Sequence, residues 1–140
     1  MEQDIKRQII MDNYQNPLNK SIPDSDDFIK VNSQNVNCID NIDLYILFDK
    51  DKIKNVHFEG EACAISTSST SIMISNLIGK TKKEALEFIA NFENMIEDKP
   101  YNKEMLNDAI VFNEIYKQQN RKTCATLPYT GIKELLIEKE

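Results

Sequence analysis

The stretch Ile42-Asp43-Leu44-Tyr45-Ile46-Leu47-Phe48-Asp49-Lys50-Asp51-Lys52-Ile53-Lys54-Asn55-Val56-His57-Phe58 decides the fold class. Ile42, Leu44, Ile46 and Phe48 alternate with Asp43, Tyr45 and Leu47, the period-two pattern of a strand with one face in the core. Asp49-Lys50-Asp51-Lys52 then turns the chain into a second run, Ile53 to Phe58, so the whole stretch reads as a β-hairpin. Upstream, a polar, proline-containing segment from Lys20 to Asp27 leads into Phe28-Ile29-Lys30-Val31, which predicts an edge strand. Ahead of that, Ile5, Gln8-Ile9 and Asp12-Asn13 keep a helical rhythm that ends at Asn16-Pro17, because the residue before proline is pushed out of the α region.

Downstream the period changes. Ile65, Ile72-Met73, Ile74, Leu77 and Ile78 predict a helix closing at Gly79. Every position from Ser66 to Ser71 is Ser or Thr, and such residues are individually poor helix formers. Only packing against a neighbouring helix or sheet would hold that segment helical. Thr81-Lys82-Lys83-Glu84 is a capping-box signature for an amphipathic helix through Leu86, Ile89, Phe92 and Ile96, ending before Pro100. Met105, Ala109, Phe112 and Ile115-Tyr116 predict a further helix, and Ile132 and Leu135-Leu136 a last one after Pro128. With strands first and helices second, the order is that of an α+β fold, a small, mainly antiparallel sheet of about three strands with helices on one face. No repeat or long linker divides the 140 residues, so one domain spanning 1–140 is expected.

The formal net charge of -6 argues against a nucleic-acid surface, which needs clustered Lys and Arg. No apolar stretch reaches the length of a membrane span, and the charged opening Met1-Glu2-Gln3-Asp4-Ile5-Lys6-Arg7 lacks a signal-peptide core. A cytoplasmic protein without membrane or nucleic-acid partners is the expectation.

The chain has three cysteines, Cys38, Cys63 and Cys124. Each falls in a short polar or glycine-bearing segment at a predicted junction, whereas cysteines used only for packing lie in apolar runs. An odd count in a reducing compartment favours a metal or a reactive thiol over a disulfide framework. Thiolates suit zinc, and three of them leave a fourth position for His, a carboxylate or water. Asp40, two residues after Cys38, can reach the same ion in a tight turn, as a harder and more exchangeable ligand. Arg121 and Lys122 lie close in sequence to offset the negative charge of such a site. The spacing is not a CxxC signature. His57, the only histidine, fits a cross-strand or surface role better than ligation, and Asp24, Asp26 and Asp27 lack the glycine of an EF-hand loop.

Four segments also carry a resemblance: Tyr14-Gln15-Asn16-Pro17-Leu18-Asn19-Lys20, Asn37-Cys38-Ile39-Asp40, Phe58-Glu59-Gly60-Glu61-Ala62-Cys63-Ala64-Ile65-Ser66 with Ser68-Ser69, and Arg121-Lys122-Thr123-Cys124-Ala125-Thr126-Leu127. In this order the chain resembles the IscU/NifU-like iron-sulfur cluster assembly family, and within it the SufU branch. The stretch between Cys63 and Cys124 has room for about one helix more than the IscU branch has there. Thr123 stands where IscU-type scaffolds have a histidine ligand, and Arg121 also fits the SufU pattern. Two positions depart from the family: Ile39 and Ala62 each replace a glycine.

The resemblance implies a sulfur carrier of the sulfurtransferase type rather than a conventional enzyme. It would take persulfide sulfur from a pyridoxal-phosphate cysteine desulfurase of the SufS kind and pass it to downstream iron-sulfur assembly or acceptor proteins. Cys38, Asp40, Cys63 and Cys124 would hold zinc, Arg121 would support the site, and Cys38 would accept sulfur, with Cys124 the second candidate. Two alternatives stand beside this: a scaffold assembling a transient iron-sulfur cluster on the same cysteines, and a structural zinc-binding interaction module.

Overall fold

A computed structural model describes residues 1–35 and 39–138; Cys38, with Val36 and Asn37, lies outside the described residues. The hairpin forms as its alternation predicts. Strand β2 (Asn41–Asp49) pairs antiparallel with β3 (Lys52–Glu61), and β1 (Ile29–Gln34) pairs antiparallel along the other side of β2, giving a three-stranded sheet in the order β1-β2-β3. The turn is tighter than the four polar residues suggest, because Asp49 and Lys52 already pair and Lys50 takes a positive φ of 60°. A register shift between Leu47 and Phe48 inserts an irregularity into the ladder. It explains why the inward residues of β3, Ile53, Val56 and Phe58, skip three positions and then two.

One face of the sheet carries Ile42, Leu44, Ile46, Val56 and Phe58, all at 0% exposure, into the core. Helix α1 (Gln3–Gln15) precedes the sheet, and α2 (Ala64–Leu77), α3 (Lys82–Ile96), the short α4 (Lys103–Leu106) and α5 (Gln119–Glu138) follow it. Helix α5 lies against β1 and β2. Its Gly131 makes the close approach possible, since a Cβ there would stand 2.9 Å from Leu44 Cδ1. Helix α3 starts with the full capping box, Thr81 and Glu84 exchanging bonds. It buries Ala85, Phe88, Ile89, Phe92, Met95 and Ile96 along one stripe.

Helix α2 is built differently. All of Ser66, Thr67, Ser68, Ser69, Thr70 and Ser71 are buried, and their hydroxyls find partners. Thr70 bonds the Ser66 carbonyl in its own helix, Ser69 the Ala125 carbonyl in α5 and Ser71 the Asn13 side chain in α1. Small side chains let α1 and α5 approach closely, and the hydroxyls bond to those helices. The helix ends at Leu77, and Gly79, with φ of 93°, supplies the left-handed turn past its end.

Two expectations need correction. The helix expected through Met105, Ala109, Phe112 and Ile115 is instead α4 followed by tighter 3-10 turns over Asn107–Phe112 and Ile115–Lys117. Asn107 breaks it with φ 50° and ψ -129°, held there by a side-chain bond to Asn76. The last helix starts nine residues before Pro128 rather than after it, with the proline inside α5. Proline removes the N–H that would bond the Cys124 carbonyl. Ser66 Oγ lies 3.0 Å from that carbonyl, and serines of other elements bond its neighbours, Ser69 the Ala125 carbonyl at 2.6 Å and Ser33 the Leu127 carbonyl at 2.8 Å.

Candidate metal centre

Asp40, Cys63 and Cys124 each reach the site by a different route. The loop between β1 and β2 closes with the Asn35 N–H donating to the Asp40 carbonyl at 3.0 Å, which turns the Asp40 side chain inward to 1% exposure. Cys63 is the N-cap of α2, and its sulfur accepts from the Ser66 N–H at 3.4 Å. The chain reaches it through Gly60, whose φ of 135° and contact with Asn41, 2.3 Å from an added Cβ, exclude any side chain. Cys124 is carried on the second turn of α5, a correction to the junction expected from sequence; it stays near the start of that element.

The three ligand-type atoms lie within 4.8 Å of one another. The Cys63 N–H donates to Asp40 Oδ1 at 2.8 Å, and Cys63 Sγ lies 3.7 Å from Asp40 Oδ2. A tetrahedral zinc with bonds of about 2.3 Å to sulfur and 2.0 Å to oxygen needs ligand separations of about 3.5 to 3.8 Å, so this set is close to the spacing zinc requires. Burial, then bonding with Cys63 and the neighbouring Asp40, pushes the Cys124 thiol up to about 12. Three acidic groups crowded in this way are stabilised as anions by a cation between them. The donor set therefore fits zinc, and its thiolates equally suit an iron-sulfur cluster.

Among the described residues, no other group of His, Cys, Asp or Glu has this spacing. His57 sits apart, its ring nitrogens against Ser21 and Asn55 and its ring edge-on to Phe28, a surface role in which β3 meets the segment before β1 and no ligand is added to the cysteine cluster. Asp24, Asp26 and Asp27 are exposed. Arg121 lies on the rim of an open groove of about 860 Å³ that contains Cys63 and Cys124 and is also lined by Lys6, Arg7, Met11, Ile65 and Lys117. Lys122 turns away and pairs with Glu97 at 3.2 Å. Sequence reasoning missed Ser66, whose hydroxyl donates to Asp40 Oδ2 at 2.6 Å; the usable signal was a serine in the first turn of a helix capped by a candidate ligand.

The model of the NifU-like N terminal domain family matches residues 5–125. The chain belongs to that family. As a NifU-like N terminal domain it is 35% identical over 135 residues to the zinc-dependent sulfurtransferase SufU of Bacillus subtilis, covering 96% of this chain and 90% of that protein. It is 34% identical over 130 residues to the iron-sulfur cluster assembly scaffold protein IscU of Streptococcus pyogenes, covering 91% and 80%. A Fervidobacterium islandicum crystal structure, described as an iron-sulfur cluster assembly scaffold protein for the SUF system, superposes with a TM-score of 0.84 at 38% identity, covering 92% and 94%. Within this NifU-like domain Ile39 is 70% exposed, while Asp40 beside it is buried. No helix among the described residues is long and apolar enough to cross a membrane.

Proposed function

We propose that this chain is a zinc-dependent sulfur acceptor that takes persulfide sulfur from a cysteine desulfurase and delivers it to iron-sulfur cluster assembly. The observation that carries this reading is the clustering of Asp40, Cys63 and Cys124 within 4.8 Å of one another, the two cysteines lining an open groove and the carboxylate buried behind them. The near full-length likeness to a zinc-dependent sulfurtransferase supports it. Cys63, Cys124 and Asp40 would hold the zinc, with Cys38 as the fourth ligand from its place two residues before Asp40. Zinc bound there would keep the sulfurs as thiolates at neutral pH and leave the carboxylate as the weaker, exchangeable ligand.

Cys38 is the proposed acceptor and Cys124 the second candidate. Its thiolate attacks the outer sulfur of the donor's persulfide; that S–S bond breaks, a new one forms on Cys38, and the donor cysteine leaves as a thiolate, with no net change of oxidation state. Arg121 in the groove lining gives the incoming anionic persulfide a favourable charge, while Lys117 there is offset by Glu114 and Arg7 by Asp4. The partner is a pyridoxal-phosphate desulfurase of the SufS kind, which supplies the cofactor chemistry. Downstream Fe-S proteins receive the sulfur, and residues 1–140 act as one unit. The likeness to IscU favours a second reading, in which the same cysteines assemble a transient cluster as cargo.

Incubation with a cysteine desulfurase and cysteine, followed by intact-mass analysis without reductant, tests the carrier reading. One added sulfur on the wild type and none on Cys38→Ser is the expected result. Sulfur retained on Cys38→Ser but lost on Cys124→Ser would move the acceptor to Cys124. No transfer to the wild type would remove the carrier reading and leave the cluster scaffold and the structural zinc module.

A further inference from the structure

Ser66 is fully buried in the first turn of α2, yet its polar atoms face three residues of the centre. Its N–H donates to Cys63 Sγ at 3.4 Å and its hydroxyl to Asp40 Oδ2 at 2.6 Å. The same oxygen is 3.0 Å from the Cys124 carbonyl. That carbonyl is available because the residue four positions on is Pro128, which has no N–H to give it.

A hydroxyl has one proton to donate, so Asp40 and the Cys124 carbonyl compete for it, while its oxygen is also placed to accept from the Cys63 thiol at 3.5 Å. The carboxylate is the stronger acceptor and the closer one. Should Asp40 swing away, the proton turns to the carbonyl, and no buried hydroxyl is left unpaired, which would otherwise be costly. The Cys63 N–H holds Oδ1 while Ser66 holds Oδ2, the oxygen nearer the Cys63 sulfur. Together they fix the rotation of the carboxylate relative to the thiols.

We propose that Ser66 is a positioning residue of this centre, orienting the Asp40 carboxylate toward a metal held by Cys63 and Cys124. The assignment rests on the zinc-site reading above. Outer-sphere hydrogen bonds of this kind set the direction and basicity of a ligand. Nothing about Ser66 requires it to touch the metal or the transferred sulfur.

The test is zinc affinity by chelator competition, with the cobalt(II)-loaded absorption spectrum beside it. Ser66→Ala is expected to bind zinc roughly 10- to 100-fold more weakly than the wild type and to shift the cobalt bands. In an Asp40→Ala background the same substitution should change affinity by less than about twofold, because its effect passes through Asp40. Ser33→Ala removes a comparable buried bond outside α2, to the Leu127 carbonyl, and is expected to lower the melting temperature while leaving affinity within about twofold of wild type. Should Ser66→Ala fail to fold, Ser66→Thr keeps the hydroxyl: near-normal affinity supports the assignment, and a loss matching that expected for Ser66→Ala counts against it. Wild-type affinity in Ser66→Ala, or an undiminished loss in the Asp40→Ala background, overturns the assignment while the zinc site stands. A wild-type protein that takes up no zinc removes the site reading, and this assignment with it.

Discussion

Helices α2 and α3 are nearly the same length, 14 and 15 residues, and both are packed into the core, yet different forces hold them. Helix α3 has a capping box, a polar outer face and an apolar stripe, and it docks mainly through that stripe, with polar ties such as Lys133–Glu93 confined to its margin. Helix α2 buries polar residues from Ser66 to Ser71 and is tied to α1 and α5 through hydroxyls aimed at particular acceptors. Apolar packing tolerates small shifts, whereas a hydroxyl bond fixes direction. The helix that begins at Cys63 is thus the one whose orientation is specified by hydrogen bonds, and the helix that carries no ligand is the one built for bulk stability.

That division can be broken from either side. Cys63→Ser should abolish the site, lowering zinc affinity more than about a hundredfold, since outer-sphere changes alone cost 10- to 100-fold. Hydrogen exchange should then rise in the first turn of α2 and around Cys124 while α3 keeps its protection; a general rise including α3 would mean that the two helices are not energetically separable. Phe92→Ala should show the converse. Phe92 is fully buried, its ring 3.9 Å from that of Tyr129, and its truncation should cost about 3 to 5 kcal/mol in denaturant unfolding with zinc affinity unchanged.

A smaller effect, about 1 kcal/mol, is expected from Thr81→Ala, which removes the α3 cap. Equilibrium unfolding measures it, and no change would mean that packing alone defines the start of α3. Smallest is Tyr129→Phe. The Tyr129 hydroxyl is buried with no hydrogen-bond partner among the described residues, so its removal should leave stability level or raise it by up to about 1 kcal/mol. A loss of stability would reveal a partner for that hydroxyl.

The same contrast explains what sequence could convey. The hairpin and α3 were legible because their patterns are local: alternation at Ile42, Leu44 and Ile46, and Thr81 three residues before Glu84. The need of the Ser66 to Ser71 run for close neighbours was also legible, since such residues do not hold a helix by propensity. Which neighbours was not, because the Asn13 and Ala125 partners lie 58 and 56 residues away in sequence. For the same reason Pro128 read as a helix boundary. The chain continues helical through it, with Ser33, Ser66 and Ser69 set against carbonyls of that stretch from distant elements. The break at Asn107 depends on Asn76, another distant partner. At the site, Asp40, Cys63 and Cys124 were legible as donor chemistry in polar segments, whereas Ser66, though marked by its place in the first turn after a candidate ligand, shows its role only once folding brings Asp40, 26 residues away, against it. Cys38 lies outside the described residues, so its role rests on sequence.

The central claim is that these residues form a zinc centre serving sulfur transfer. The most direct test is the metal and acid-labile sulfide content of untagged protein purified without oxygen, compared with Asp40→Ala. About one zinc per chain and no sulfide is the result this account predicts, with zinc reduced in the variant. Iron with matching sulfide would contradict it in favour of a cluster scaffold, and protein free of metal would contradict the metal centre altogether.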